Sequence, residues 1–155
     1  MKTAEEIVLE KNNEIVSVTK TQTVAEAIDL MNKNKIGAIL VEENDDLIGI
    51  WTERDYLRGS SNPAFDPKTA KVGEHMTSPL HFASHDATLT QLEEMFLGLY
   101  LRHIPVKKDD KVLGLVSIGD VLRANLLDKD RQIKELNSMA SWQYYENWGW
   151  DRQKG

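Results

Sequence analysis

Two stretches of the 155-residue sequence hold a hydroxyl residue and, three positions later, an aspartate. They are Gly49–Asp55, which reads GIWTERD, and Gly114–Asp120, which reads GLVSIGD. In each stretch an apolar run precedes the hydroxyl, which places the pair where a strand gives way to a helix. The first amide N–H groups of a helix have no intrahelical partner, and they favour an anion. An aspartate there can accept hydrogen bonds from a vicinal diol such as ribose, and the hydroxyl can bind a phosphate.

The same residues also have a purely structural interpretation. Thr52 or Asp55, and Ser117 or Asp120, could simply cap the first turn of the helix that follows them. For a single stretch, capping would be the simpler interpretation. Because both groups occur in both stretches, the repetition favours a ligand site.

The two stretches lie inside a longer internal repeat. Shifting the chain by the 65 positions that separate Gly49 from Gly114 aligns Ile15–Arg58 with the second half without a gap. Apolar positions fall on apolar positions nearly throughout, which indicates a duplicated supersecondary unit. Each copy predicts a strand, a helix that begins after Thr23 or Thr88, a hairpin of two strands and a final helix.

A unit of roughly 45 residues is near the lower limit for independent folding. We therefore predict an α/β (α+β) fold in which two pseudo-symmetric β-α-β-β-α repeats pack sheet to sheet and enclose paired clefts. The predicted boundaries are residues 1–62 for the first repeat with an N-terminal helix, and 63–127 for a Pro/Gly/Ser-rich linker and the second repeat. Residues 128–155 form a C-terminal helix and tail.

The C-terminal tail is rich in aromatic residues and has two interpretations. Its aromatic residues are Trp142, Tyr144, Tyr145, Trp148 and Trp150. The tail could extend the last helix and pack on its own module or on a dimer mate. Alternatively, exposed aromatic residues could form a docking element for another protein.

The composition excludes several classes of function. A net charge of −6 disfavours nucleic-acid binding, and the absence of cysteine excludes thiolate metal sites and a cysteine nucleophile. The four histidines lack metal-ligand spacing. No segment has the ~20 apolar residues needed to span a membrane. We expect a cytoplasmic, non-enzymatic protein without a metal.

The duplicated motif resembles that of a tandem CBS-domain pair, the Bateman module. The family motif is Gly, two apolar residues, Ser or Thr, two variable residues and Asp, and it is present twice here. The resemblance covers roughly residues 3–127. It implies two clefts that bind adenosine-containing ligands, a regulatory role and a dimer.

The resemblance also implies a set of nucleotide-binding residues. The motif supplies the hydroxyls and carboxylates, basic residues before the proline of LRHIPV bind phosphate, and residues of each first strand cover the adenine. The implied set is Thr52, Asp55, Ser117, Asp120, Arg102, His103, Arg54, Val16 and His81.

The basic residues of this set are present in only one copy. Gly37 and Ala38 stand in the first copy where Arg102 and His103 stand in the second. We therefore expect unequal clefts, although Lys35 or Arg54 could partly compensate in the first copy.

The expected function is regulation through binding of an adenosine nucleotide, AMP, ADP or ATP. The expected protein forms a homodimer and signals to an unknown regulated protein in trans. Two alternatives stay open: an oligomerisation scaffold with empty clefts, and a different ligand such as NAD or S-adenosylmethionine.

Overall fold

The computed structural model describes residues 1–12 and 14–140. The aromatic residues predicted for the C-terminal tail, Trp142, Tyr144, Tyr145, Trp148 and Trp150, lie outside the described residues.

The first half of the chain forms a three-stranded sheet with helices around it. Strand β1 pairs in parallel with β2, and β2 pairs antiparallel with β3. The elements are α1 (Ala4–Lys11), β1 (Ser17–Thr19), α2 (Val24–Asn34), β2 (Ala38–Glu43), β3 (Asp46–Thr52) and α3 (Glu53–Ser60).

The second half repeats this arrangement in a second three-stranded sheet. Strands β4 and β5 are parallel, and β5 and β6 form the antiparallel hairpin. The elements are α4 (Val72–His75), β4 (Ala83–Ser84), α5 (Leu89–Leu99), β5 (His103–Lys108), β6 (Lys111–Ser117) and α6 (Ile118–Ala140). The predicted pair of β-α-β-β-α repeats in an α+β fold is therefore confirmed. The last helix of the second repeat and the predicted C-terminal helix are one continuous helix.

Local sequence signals explain where most of the helices begin. The hydroxyls of Thr3, Thr23, Thr52 and Thr88 each accept a hydrogen bond from the backbone N–H three residues on. The side chain at that third position accepts a hydrogen bond from the backbone N–H of the threonine, which completes a capping box in all four helices. The predicted helix starts at Thr23 and Thr88 are confirmed.

The segments that precede the two repeats exchange places. Helix α1 packs against β5, β6 and α6 of the second repeat, and the backbone N–H of Ala4 donates to the carbonyl of Ala87 at 2.9 Å. Helix α4 packs against β1 and β3 of the first repeat, and the N–H of Val72 donates to the carbonyl of Gln22 at 2.9 Å. The boundary placed after residue 62 follows the chain, whereas the packing crosses it.

The exchanged segments complete two separate hydrophobic cores. Ala4, Ile7 and Val8 of α1 are buried in the core of the second repeat, and Val72 of α4 is buried in that of the first. A third cluster joins the two sheets: the buried Ala38, Leu40 and Ile50, with Leu47, Leu80 and Leu115 packed against them. Ala38 and Leu115 of this third cluster also line a cavity between the repeats. Among the described residues, none of the helices is both long and apolar enough to cross a membrane.

We predict that Gly114→Ala loosens the packing of α1 on the second sheet. A Cβ at this position would lie 2.7 Å from Cγ1 of Val8, so the buried Val8 side chain or the helix that carries it must shift to admit it. The free energy of unfolding should fall by about 1–3 kcal/mol, as for other overpacked cores. Urea denaturation followed by circular dichroism measures this change.

Gly98→Ala provides the matched control for this substitution. A Cβ at Gly98, within α5, has nothing within 4 Å, so the same methyl group should leave stability unchanged or raise it by up to about 1 kcal/mol. Equal stability of wild type and the Gly114 variant would contradict the close packing of α1.

Candidate ligand-binding site

A cavity of about 480 Å³ lies between the two repeats at the second copy of the motif. The first repeat contributes the segment before β1 and the α2–β2 loop, and the second contributes β5, β6 and the start of α6. The lining residues are Val8, Lys11, Glu14, Ile15, Val16, Lys35, Ile36, Gly37, Ala38, His103, Gly114, Leu115, Ser117, Asp120 and Arg123.

Asp120 lies at the junction of β6 and α6, where it faces this cavity. Its Oδ2 atom accepts hydrogen bonds from the backbone N–H of Ser117 at 2.8 Å and from Nζ of Lys11 at 2.9 Å. The backbone N–H of Asp120 in turn donates to Oγ of Ser117 at 3.1 Å. The capping interpretation and a position at a cleft therefore both hold for this pair.

The carboxylate of Asp120 is stabilised in its charged form. Burial alone would raise its pKa, but the hydrogen bonds from Lys11 and Ser117 outweigh burial, so the pKa lies below its usual value. Arg123 adds a more distant cation, with Nη1 3.8 Å from Oδ1 of Asp120. Asp120 is thus an anion at neutral pH and can accept hydrogen bonds from a ligand.

The half-buried His103 lines the same cavity. Burial lowers the pKa of its imidazole, and the nearby ammonium of Lys11 lowers it further against the opposing effect of Asp120. His103 therefore faces the cavity as a neutral ring at pH 7. In the sheet it pairs with Ser117, as Ala38 pairs with Thr52 in the first repeat, so the correspondence of His103 with Ala38 is also structural.

The cavity is locally more positive than the chain as a whole. Lys11, Lys35 and Arg123 carry positive charges among the lining residues, against the carboxylates of Glu14 and Asp120. Apolar side chains from the first repeat cover another part of the wall. A polar, partly cationic end and an apolar side suit a ligand with an anionic group and an aromatic ring.

The first copy of the motif has a different environment. Asp55 is buried, and its Oδ2 accepts from the backbone N–H and the hydroxyl of Thr52 at 3.0 and 3.1 Å. Its Oδ1 accepts from the hydroxyl of Thr77 at 3.1 Å. Met76 and Thr77 lie against Gly49, where an added Cβ would be 2.5 Å from Sδ of Met76. Residues of the protein itself therefore bind both oxygens of Asp55.

The remaining residues of the implied set lie in several places. Val16 lines the cavity, whereas His81 is exposed. Nη1 of Arg54 donates to the carbonyl of Tyr100 at 3.4 Å. Arg102 is exposed, and its carbonyl accepts from the N–H of Ile118. The structure brings Val16, His103, Ser117 and Asp120 together at the cavity, and the nucleotide-binding roles stay predictions.

Two cationic lining residues, Lys11 and Arg123, were missed in the sequence. Arg123 could have been found, because a position three residues after Asp120 lies on the same helical face. Lys11 gives no such signal, since only the long-range packing of α1 brings it to the second repeat. Residues 1–12 and 14–140 contain no group of three or more His, Cys, Asp or Glu side chains that could hold a metal ion.

The fold and the doubled motif define a class of protein: small α+β modules made of two tandem repeats. The family model described as CBS domain matches residues 4–62 and again residues 72–126. The chain belongs to the CBS-domain family, and the resemblance seen in its sequence is confirmed.

Known relatives agree with this family. The chain is 35% identical over 125 residues to "CBS domain-containing protein CBSX3, mitochondrial" of Arabidopsis thaliana, covering 77% of this chain and 61% of the relative. It is 34% identical over 108 residues to a 17.7 kDa protein of Acidianus ambivalens, covering 68% of this chain and 63% of the relative. The chain thus spans about three fifths of the length of both relatives.

A solved structure shows the same fold. It is that of a candidate signal-transduction protein with CBS domains from Burkholderia ambifaria, with a TM-score of 0.77 and 33% identity. The match covers 82% of this chain and 96% of that structure.

We predict that His103 makes the stability of the protein depend on pH. Because burial lowers the pKa of His103, the unfolded chain takes up a proton near the ordinary pKa of about 6.5 before the folded protein does. Its contribution to the free energy of unfolding is therefore complete above that pH and is lost as the pH falls. Between pH 7 and pH 5, His103→Gln should lose less stability than wild type in urea titrations.

The same substitution at the exposed His81 is the control, and we expect it to keep the wild-type pH dependence. Parallel curves for wild type and His103→Gln would show that burial does not perturb His103.

Proposed function

We propose that this protein is a non-enzymatic regulatory module that binds an adenosine nucleotide, AMP, ADP or ATP, and signals to a partner protein in trans. The cavity at Asp120 carries this proposal, because it combines a charged motif carboxylate with cations and an apolar wall. Its volume of about 480 Å³ lies in the usual range of small-molecule sites, roughly 300–1,000 Å³.

The arrangement of the lining residues supports a nucleotide in one orientation. Ile15, Val16 and Ile36 form an apolar wall against which an adenine can pack. The carboxylate of Asp120 is the acceptor for a ribose diol. The hydroxyl of Ser117, at the start of α6, is placed to bind phosphate near the positive end of the helix dipole.

The two motif aspartates differ in what they offer to a ligand. Among the described residues, the one cation near Oδ1 of Asp120 is the distant guanidinium of Arg123, at 3.8 Å, whereas Oδ1 of Asp55 accepts directly from Thr77. A ligand diol at Asp55 must compete with the bonds from Thr52 and Thr77. We therefore assign the stronger nucleotide site to the Asp120 cavity.

The basic residues of the LRHIPV segment divide between the two clefts in this proposal. His103 lines the Asp120 cavity. Arg102 stands where Gly37 stands in the first repeat, and Gly37 lines the cavity that contains the other repeat's motif. By the same pseudo-symmetry, Arg102 belongs on the side of Asp55. Arg102 would then strengthen phosphate binding at the Asp55 cleft rather than at Asp120.

We predict that Asp120→Asn weakens nucleotide binding much more than Asp55→Asn. Loss of the charged acceptor for the ribose should reduce affinity about tenfold or more, since hydrogen bonds to charged groups contribute about 1.5–3 kcal/mol. Asparagine keeps the capping ability, so both variants should remain folded. Titration calorimetry with AMP, ADP, ATP, NAD and S-adenosylmethionine measures the affinities and also ranks the ligands.

Asp110→Asn, in the exposed turn between β5 and β6, is the control for the change of charge. Unchanged affinity in the Asp120 variant would contradict the assignment of ribose to this carboxylate. If wild type bound none of the five compounds, the scaffold interpretation would replace the nucleotide sensor.

We also propose that the module forms a homodimer through its helices. Helices α5 and α6 pack against each other, and both leave leucines exposed, among them Leu97, Leu122 and Leu126. Burying such residues against a second copy would remove apolar surface from water. In sedimentation experiments, Leu97→Glu with Leu122→Glu should shift a wild-type dimer towards monomer. A monomeric wild type would contradict this part of the proposal.

A further inference from the structure

The two repeats offer the same pair of acceptors at corresponding positions. One acceptor is a strand carbonyl, of Ile50 in β3 and of Leu115 in β6. The other is the motif carboxylate, of Asp55 and of Asp120. Ile50 pairs with Leu40 and Leu115 pairs with Pro105 at the same step of their hairpins, so the two positions correspond in register. The protein satisfies these two acceptor pairs in chemically different ways.

In the first repeat, backbone and a short side chain satisfy both acceptors. The N–H of Thr77 donates to the carbonyl of Ile50 at 2.7 Å, and its hydroxyl donates to Asp55 at 3.1 Å. The N–H of Ile50 also donates to the carbonyl of Thr77 at 3.0 Å. This two-way backbone pairing fixes Thr77 beside Asp55, so even if its hydroxyl rotates away, the residue itself stays in place. Asp55 is therefore held by a fixed part of the chain.

In the second repeat, one ammonium group replaces both donors. Nζ of Lys11 donates to the carbonyl of Leu115 at 3.1 Å and to Oδ2 of Asp120 at 2.9 Å. Lys11 is the last residue of α1, and its side chain is 29% exposed. A lysine side chain rotates about several single bonds, so it can leave both acceptors without any change in the backbone.

Asp120 keeps its structural role when Lys11 moves away. The backbone N–H of Ser117 still donates to Oδ2, and the hydroxyl of Ser117 still accepts from the N–H of Asp120. Leu115 also lines the cavity, and its carbonyl would lose the bond from Lys11 and accept one from solvent or ligand instead. The capped start of α6 thus persists, and the carboxylate becomes free to accept a ribose diol.

We infer that Lys11 selects phosphorylated over unphosphorylated ligands at the Asp120 cavity. In the empty protein Lys11 neutralises Asp120 through Oδ2. In the complex its ammonium turns to the phosphate, and one hydroxyl of the ribose diol takes its place on Oδ2 while the other binds Oδ1. This inference rests on the proposed nucleotide function. A nucleoside gives the ammonium no new anionic partner, so it must compete with Lys11 for Asp120. A nucleotide supplies that partner, so the same movement is favourable.

The inference makes opposite predictions for AMP and adenosine in Lys11→Met. AMP should bind about tenfold more weakly or worse, because the variant loses a charge-assisted contact with phosphate. Adenosine should bind as well as to wild type or more tightly, because the ammonium of Lys11 no longer competes for Asp120. The preference for AMP over adenosine should therefore fall by tenfold or more. Lys11→Arg should keep most of the preference because it keeps the charge.

Titration calorimetry with AMP and with adenosine measures these ratios on the full chain. Lys129→Met, an exposed position of α6 outside the cavity, removes the same charge and should leave the ratio unchanged. In wild type, the ¹⁵Nζ resonance of Lys11 should shift on addition of AMP and much less on addition of adenosine. The resonance provides a test that needs no variant to fold.

Three outcomes separate the possibilities. Equal weakening of AMP and adenosine in Lys11→Met would show that Lys11 only positions Asp120, and it would overturn the inference. Unchanged affinities for both AMP and adenosine in Lys11→Met would overturn it as well. So would a ¹⁵Nζ shift that is the same for both compounds, and either result would leave the nucleotide function intact. If wild type bound neither compound, the proposed function itself would be wrong, and the inference would fail with it.

Discussion

The reciprocal hydrogen bonds between a hydroxyl residue and an aspartate three positions later determine the geometry of each half of this protein. They end a strand, begin a helix and hold a carboxylate at the junction, so one pair of side chains defines three features at once. Because the carboxylate accepts a backbone N–H with one oxygen, its orientation is set before any ligand arrives. The structural role and the binding role are therefore compatible, and the repeat retains both.

The two strand-to-helix junctions differ because different segments of the chain contact their aspartates. Residues 76 and 77 follow α4 and run along β3 as a short extension of the first sheet. Helix α1 lies against β6 instead, and it reaches the corresponding place with the side chain of its last residue. One motif aspartate is therefore bound by a residue held in the sheet, and the other by a single long side chain. The asymmetry of the module thus originates outside the repeated motif.

Features that depend on neighbours in sequence could be predicted. The capping box at Thr23, the N-cap at Thr88, the hairpins and the duplicated motif all follow from local spacing, and the order of elements followed from them. The correspondence of His103 with Ala38 also followed, because the repeat aligns without a gap. The exchange of α1 and α4, the position of Lys11 and the contact of Thr77 with Asp55 could not be predicted. They depend on packing between residues 22 to 109 positions apart, for which a single sequence gives no periodic signal.

The continuity of α6 has a mechanical consequence. A helix of 23 residues is about 34 Å long at the usual rise of about 1.5 Å per residue. Its first turn contains Asp120 at the cavity, and the helix continues past the repeat that ends near residue 127. If the helix moved as a rigid body about its first turn, a rotation of about 3° would displace its far end by nearly 2 Å over this length. A rearrangement of one side chain at the cavity could thus be transmitted as a measurable movement of the C-terminal end.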